Sequence, residues 1–220
     1  MTRLAVFDCD GTLVDGQADV CWAMARAFAR AGLPVPDDHA VRRTVGLSLT
    51  AAVRRLAPQL GEVDNRAVTE FYRSSFRARR EEGLLDEPLY DGIADLLRGL
   101  HADGWSLAVA TGKSDRGLAA CLATHGIADL FVSLQTADRH PSKPHPAMLE
   151  AALFEAGAQR AEAVMIGDTS FDMAMAKSIG VAAIGVGWGY HGADELAASG
   201  AACVVETSAQ LAAALERLLP

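Results

Sequence analysis

Lysine is nearly absent from this chain. Three, Lys113, Lys143 and Lys177, stand against seventeen arginines in 220 residues. Cysteine is also scarce, and Cys9, Cys21, Cys121 and Cys203 make no C-x-x-C pair, which excludes a disulfide framework and a cysteine zinc site. They read as reduced thiols acting as small buried hydrophobes. The six histidines show no metal-ligand spacing. No apolar run reaches the roughly 18 residues of a membrane span, and the segment from Met1 meets Asp8 before a signal-peptide core could form. The expectation is a soluble cytoplasmic protein with no membrane partner. There is no basic tract either: the net charge is −8, which repels polyanions, so nucleic acid is not an expected partner, although small anions can bind locally.

Half of the residues are hydrophobic, enough for a sizeable core. Short apolar runs recur at 4–7, 107–110, 130–134, 163–166, 181–186 and 202–205, separated after the first by segments of helical period. Near-continuous hydrophobicity over four to eight residues suits strands buried on both faces, so the pattern predicts an α/β fold with a Rossmann-like parallel sheet covered by helices. One covering helix is expected to start at an Asp91 N-cap, to place Ile93, Leu96, Leu97 and Leu100 on one face, and to stop at Gly104; another runs from about Ser208. Between the first strand and Asp91 about 70 residues pass with helical periodicity and no strand. Val20, Met24, Ala27 and Phe28 form one stripe; Val68, Phe71, Tyr72 and Phe76 form another, with Arg66, Arg73, Arg77 and Arg80 facing away. The expected organisation is a core of residues 1–15 and 86–220, with a small all-helical cap of residues 16–85 inserted after the first strand.

Ligands of an open parallel sheet bind beyond the carboxyl ends of its strands, so the polar residues that follow apolar runs are the ones to inspect. Four such places occur: Asp8-Cys-Asp10-Gly-Thr, Thr111-Gly112-Lys113-Ser, Lys143-Pro-His-Pro and Gly167-Asp168-Thr-Ser-Phe-Asp172. Asp8 and Asp10 are two residues apart, and carboxylates so close repel unless a cation or a shared proton intervenes. Magnesium suits an oxygen-only cluster, which Asp168 could complete. A carboxylate can also attack a phosphate ester, while a second one donates a proton to the departing alkoxide. Thr111 and Lys143 could then hold the phosphoryl group. Taken singly, these residues have plainer readings: Thr111 as a strand-end hydroxyl or helix N-cap, Asp168 and Asp172 as acids favoured at a helix start. Lys113 could lie near the phosphate or be solvated.

Together the four segments resemble the four motifs of the haloacid dehalogenase-like superfamily of phosphohydrolases: D-x-D-G-T-L-x-D at 8–15, Thr111, K-P at 143–144, and G-D-x-x-x-D at 167–172. They occur in order across nearly the whole chain. The inserted helices resemble the small cap of the phosphoglycolate phosphatase and β-phosphoglucomutase subgroup. The resemblance implies that Asp8 is the nucleophile and Asp10 the general acid/base. It implies that Mg²⁺ is bound by the Asp8 side chain, the Asp10 main-chain carbonyl and Asp168, and that Thr111, Gly112 and Lys143 bind phosphate. Asp172 would orient a metal water or the lysine. A cap loop near Arg42, Arg43 and Gly46 would select the substrate.

The activity so implied is Mg²⁺-dependent hydrolysis of a small phosphate ester through an aspartyl-phosphate, with phosphoglycolate as the first candidate. A β-phosphoglucomutase-like phosphotransferase uses the same core residues and stays open. A phospho-acceptor signalling module is harder to reconcile with the long helical insertion. A dehalogenase would not keep Asp10 and Asp168, and a phosphonatase needs a cap lysine where residues 16–90 contain none.

Overall fold

The computed structural model describes residues 2–219. The six apolar runs become strands β1 (Leu4–Phe7), β2 (Ser106–Thr111), β3 (Phe131–Thr136), β4 (Ala163–Gly167), β5 (Ala182–Val186) and β6 (Cys203–Val205). They form one sheet in the order β3-β2-β1-β4-β5-β6, parallel throughout. This Rossmann-like order reverses direction at β1, where crevices open beyond the strand ends. Every residue of β1 and β4 is buried, the consequence of helices on both faces.

On one face pack α5 (Ile93–Ala102), α6 (Asp115–Thr124) and α10 (Ser208–Leu218), burying Leu97, Leu122 and Leu215 against Phe7 and Val109. On the other lie α7 (Ala147–Ala156), α8 (Ser170–Ser178) and α9 (Ala193–Ser199), burying Met148, Met173 and Leu196 against Val6 and Ala108. Helix α5 does not start at an Asp91 cap: Gly92, at φ 74°, turns the chain and Ile93 opens the helix with no side-chain cap. Of the expected apolar face, Ile93, Leu97 and Leu100 are buried all the same, and Leu96 is partly buried against the same core. Cys9 packs sideways into the core, within reach of Cys121.

Between β1 and α5 lie four helices, α1 (Gln17–Arg30), α2 (Asp38–Arg42), α3 (Leu49–Leu56) and α4 (Glu62–Glu81). They enclose their own apolar core, in which Met24, Phe28, Val53 and Val68 are almost fully buried. Asp19 of α1 is buried and ion-paired to Arg79 of α4, which joins the two longest helices. Arg73, Arg77 and Arg80 do lie off the apolar stripe, as their spacing suggests; Arg73 and Arg77 are exposed, and all three line an open cavity that faces the sheet domain. Among the described residues, no helix is long and apolar enough to cross a membrane.

Candidate active site

β1 ends at Phe7 because the following residues turn away from the ladder. The Asp8 N–H still donates to the Ile166 carbonyl at 2.9 Å, but Gly11 then adopts φ 82°, a conformation that favours glycine. Space demands glycine there as well, since a Cβ would fall 2.2 Å from Asp168 Oδ2. The turn thereby packs directly against Asp168, which follows β4, the strand paired with β1.

Asp8, Asp168 and Asp172 are all fully buried, and each offers a carboxylate oxygen within 4.8 Å of the others. Lys143 reaches them from the loop after β3, its ammonium 2.9 Å from Asp8 Oδ2 and 2.7 Å from Asp172 Oδ1. Burial by itself would discharge Lys143, but Asp172 and Asp8 overcome that and hold its pKa above the ordinary range. Burial pushes the Asp8 carboxyl up to about 7 against the pull of Lys143, with Asp172 and Asp10 adding repulsion. Asp168 is raised by burial and then by Asp8 and Asp172.

The remaining oxygens are individually directed. Asp168 Oδ1 accepts from the Thr12 hydroxyl at 2.9 Å and Oδ2 from the Tyr190 N–H at 3.0 Å. Asp172 Oδ2 accepts from the Thr169 hydroxyl at 2.7 Å and from its N–H at 3.2 Å. Both oxygens of Asp172 are thus engaged, one on the lysine, so this carboxylate is placed to orient Lys143. With all three buried carboxylates ionised, one ammonium leaves an excess of two negative charges, which a divalent cation would balance; without one, burial and mutual repulsion favour protonation of Asp8 and Asp168. Oxygen donors alone suit a hard divalent cation better than a soft one.

Asp10 stands apart from that cluster. Its Oδ1 lies 2.8 Å from the Lys113 ammonium, which also touches Glu87 at 2.6 Å. The Lys113 side chain is only 8% exposed, so it is not the solvated cation that its sequence left open. Burial opposes its charge, while Asp10 and Glu87 prevail and raise its pKa. Gly16 lies against both acids, so the two connections to the inserted helices cross at this pair. Glu87 escapes motif reasoning, since an acid beside a proline in a linker has no signature; Thr12 could have been suspected from its place in the first motif.

Thr111 is fully buried at the end of β2, and its hydroxyl accepts from the Lys113 N–H at 3.3 Å. Gly112 meets the inserted helices directly, and a Cβ there would lie 2.4 Å from the Leu47 carbonyl oxygen and 2.9 Å from that of Gly46. The Ser48 N–H donates to Ser142 Oγ at 2.8 Å, so the loop after α2 rests on the sheet domain. Gly46 lines the cavity beside Asp10, whereas Arg42 and Arg43 do not. Arg42 reaches Gln17 at 3.4 Å, and Arg43 makes a two-pronged ion pair with Glu195 of α9 at 2.6 and 2.7 Å. Gly112→Ala should therefore displace the loop without disturbing the sheet. The expected result is a melting temperature within a few degrees of wild type and a loss of kcat/KM on the order of ten- to a hundredfold, checked by thermal melting and steady-state kinetics.

A parallel sheet whose central strand ends in a buried carboxylate, beside a lysine and two further acids, makes this an α/β protein with its charged groups gathered where such sheets bind ligands. Residues 5–186 match the family model described as haloacid dehalogenase-like hydrolase. The chain belongs to that family and is an enzyme of its phosphatase branch. It is 36% identical over 223 residues to a protein described as probable phosphatase IndB of Dickeya dadantii, covering 100% of this chain and 96% of that one. It is 30% identical to a phosphoglycolate phosphatase of Vibrio vulnificus, covering 95% and 94%. A solved structure of a predicted phosphatase from Clostridium acetobutylicum shares the fold with a TM-score of 0.89 at 24% identity, covering 99% of each chain.

Proposed function

We propose that the protein is a Mg²⁺-dependent phosphatase that hydrolyses a small phosphorylated metabolite through an aspartyl-phosphate on Asp8. The observation that carries this reading is the buried Asp8–Lys143–Asp172 chain of ion pairs with Asp168 alongside. An Asp8 carboxylate oxygen attacks phosphorus, the ester P–O bond breaks, and Asp10 gives the departing oxygen its proton. In the second half Asp10 takes a proton from water as that water attacks phosphorus, and the Asp8–O–P bond opens to release inorganic phosphate. Lys113 stands 2.8 Å from Oδ1 of Asp10, and in this reading Oδ2 carries the proton. Lys143 and the N–H groups near Thr111 and Gly112 would offset the charge on the phosphoryl oxygens, which is most of what a protein contributes to this reaction. Asp8, Asp168 and the Asp10 carbonyl would hold Mg²⁺, which supplies further charge neutralisation when bound.

Residues 16–85 serve in this reading as the cap, and the loop at Gly46 as its closure onto the site. The similarity to phosphoglycolate phosphatases makes phosphoglycolate the first substrate to assay. The test is a panel of phosphate monoesters, including p-nitrophenyl phosphate, with Mg²⁺ and after chelation. Turnover should fall by about a hundredfold or more on chelation and return with Mg²⁺; activity indifferent to chelator would refute the metal assignment.

A further inference from the structure

Arg73, Arg77 and Arg80 recur at i, i+4 and i+7 on α4, so one helix face carries guanidinium groups along about 10 Å. All three line the cavity of about 490 Å³ between the inserted helices and the sheet domain, and Arg116 of α6 enters it from the sheet side. The same space contains Gly112, Lys113 and Asp10 at its inner end. The acids lining it are already engaged. Asp10 is paired to Lys113, and Asp138 accepts from the Asp115 N–H at 2.9 Å while standing 3.9 Å from Arg73. Among the described residues, Arg77, Arg80 and Arg116 have no carboxylate within 4 Å.

Scattered arginines on a helix are ordinary solvated cations. Arg77 and Arg116 are exposed too, but with Arg80 they converge from two elements distant in sequence on a cavity that reaches Asp10, in a chain whose net charge is −8. Such a pocket concentrates anions locally despite the overall charge. Its volume falls within the range of about 300 to 1,000 Å³ typical of sites for drug-sized ligands. A two-carbon phosphorylated acid would leave most of it unfilled.

We propose that the physiological substrate is an extended phosphate monoester with a second anionic group, phosphate or carboxylate, several bonds from the scissile phosphate, and that Arg77, Arg80 and Arg116 grip that second group. The planar guanidinium fork matches either anion bidentately. This specificity rests on the phosphatase reading of the Asp8 site and names the substrate class for it.

Three six-carbon probes separate the possibilities: glucose 6-phosphate with a neutral far end, 6-phosphogluconate with a carboxylate, and glucose 1,6-bisphosphate with a phosphate. The wild type should favour at least one of the two doubly anionic esters over glucose 6-phosphate by about tenfold or more in kcat/KM, and which one identifies the second group. Arg77→Gln and Arg116→Gln should each reduce that preference about tenfold, mainly through KM, while Arg66→Gln, outside the cavity, leaves the ratio in place. Equal use of all three esters by the wild type, a ratio unmoved in both pocket variants, or a preference for phosphoglycolate over every six-carbon ester would overturn the proposal. If no ester at all is hydrolysed, the phosphatase reading fails separately. Calorimetric binding of the same probes then decides the subsite: tighter binding of a doubly anionic ester, lost in Arg77→Gln, supports it, and equal binding sinks it.

Discussion

Asp8→Asn should abolish turnover of p-nitrophenyl phosphate, with a loss on the order of 10⁴-fold or more, while the protein remains as stable as wild type or becomes slightly more so. The amide keeps the shape of the side chain but cannot form the phosphoenzyme, and removal of a nucleophile forfeits nearly all the rate that depends on it. Stability moves the other way because the Asp8 carboxylate is fully buried and repelled by Asp172 and Asp10, a burden that Lys143 only partly offsets. A neutral side chain relieves it, and Lys143 keeps Asp172 as its partner at 2.7 Å. Steady-state assay, thermal melting and acid-quench trapping of labelled protein check the three expectations. A purified variant that retains a tenth of wild-type activity, or still traps phosphate covalently, would remove Asp8 from the role of nucleophile.

Lys143→Met should fail on both counts. Its ammonium is completely buried between Asp8 and Asp172, and taking away one member of a buried ion pair typically costs about 3 to 5 kcal/mol because uncompensated charge is left behind. In a chain of this size that corresponds to a fall in melting temperature of roughly 10 °C. Turnover should drop by about 10³-fold or more, since the same ammonium would offset the charge on the transferring phosphoryl group. Arginine should not rescue it: a planar fork does not fit a space closed around a compact ammonium. Added Mg²⁺ should recover part of the lost stability and little of the activity, which melting curves with and without the ion would show. Unchanged stability in Lys143→Met would mean that the buried carboxylates are neutralised by something other than this lysine.

Much of the architecture was legible because it depends on local pattern. Six apolar runs of strand length can be satisfied only by a sheet covered on both faces, and the strands lie within a residue or two of where those runs fall. The helical insertion was equally visible, because 3.6-residue periodicity over some 70 residues leaves no room for a strand. The start of α5 was misread because an aspartate is a better cap than glycine on composition, and only the backbone shows that Gly92 takes a positive φ. Asp8, Asp168, Asp172 and Lys143 could be nominated because strand ends of a parallel sheet share one edge. Their roles follow from the motif resemblance, but which atoms pair could not be read, because ion-pair distances are set by how the β1 turn and the loop after β3 pack together.

Fold class, the functional edge of the sheet and the residue types gathered there are written in the linear string, since periodicity and strand-end position are properties of it. Packing in three dimensions chose which charges meet. It placed Lys113 between Asp10 and Glu87, sent Arg43 to Glu195 and away from the cavity, and turned the Arg73, Arg77 and Arg80 face of α4 toward the site. The reason is that Coulombic and hydrogen-bonding partners are chosen by distance in space, and in a buried setting a few ångströms decide whether a charge is neutralised or stranded.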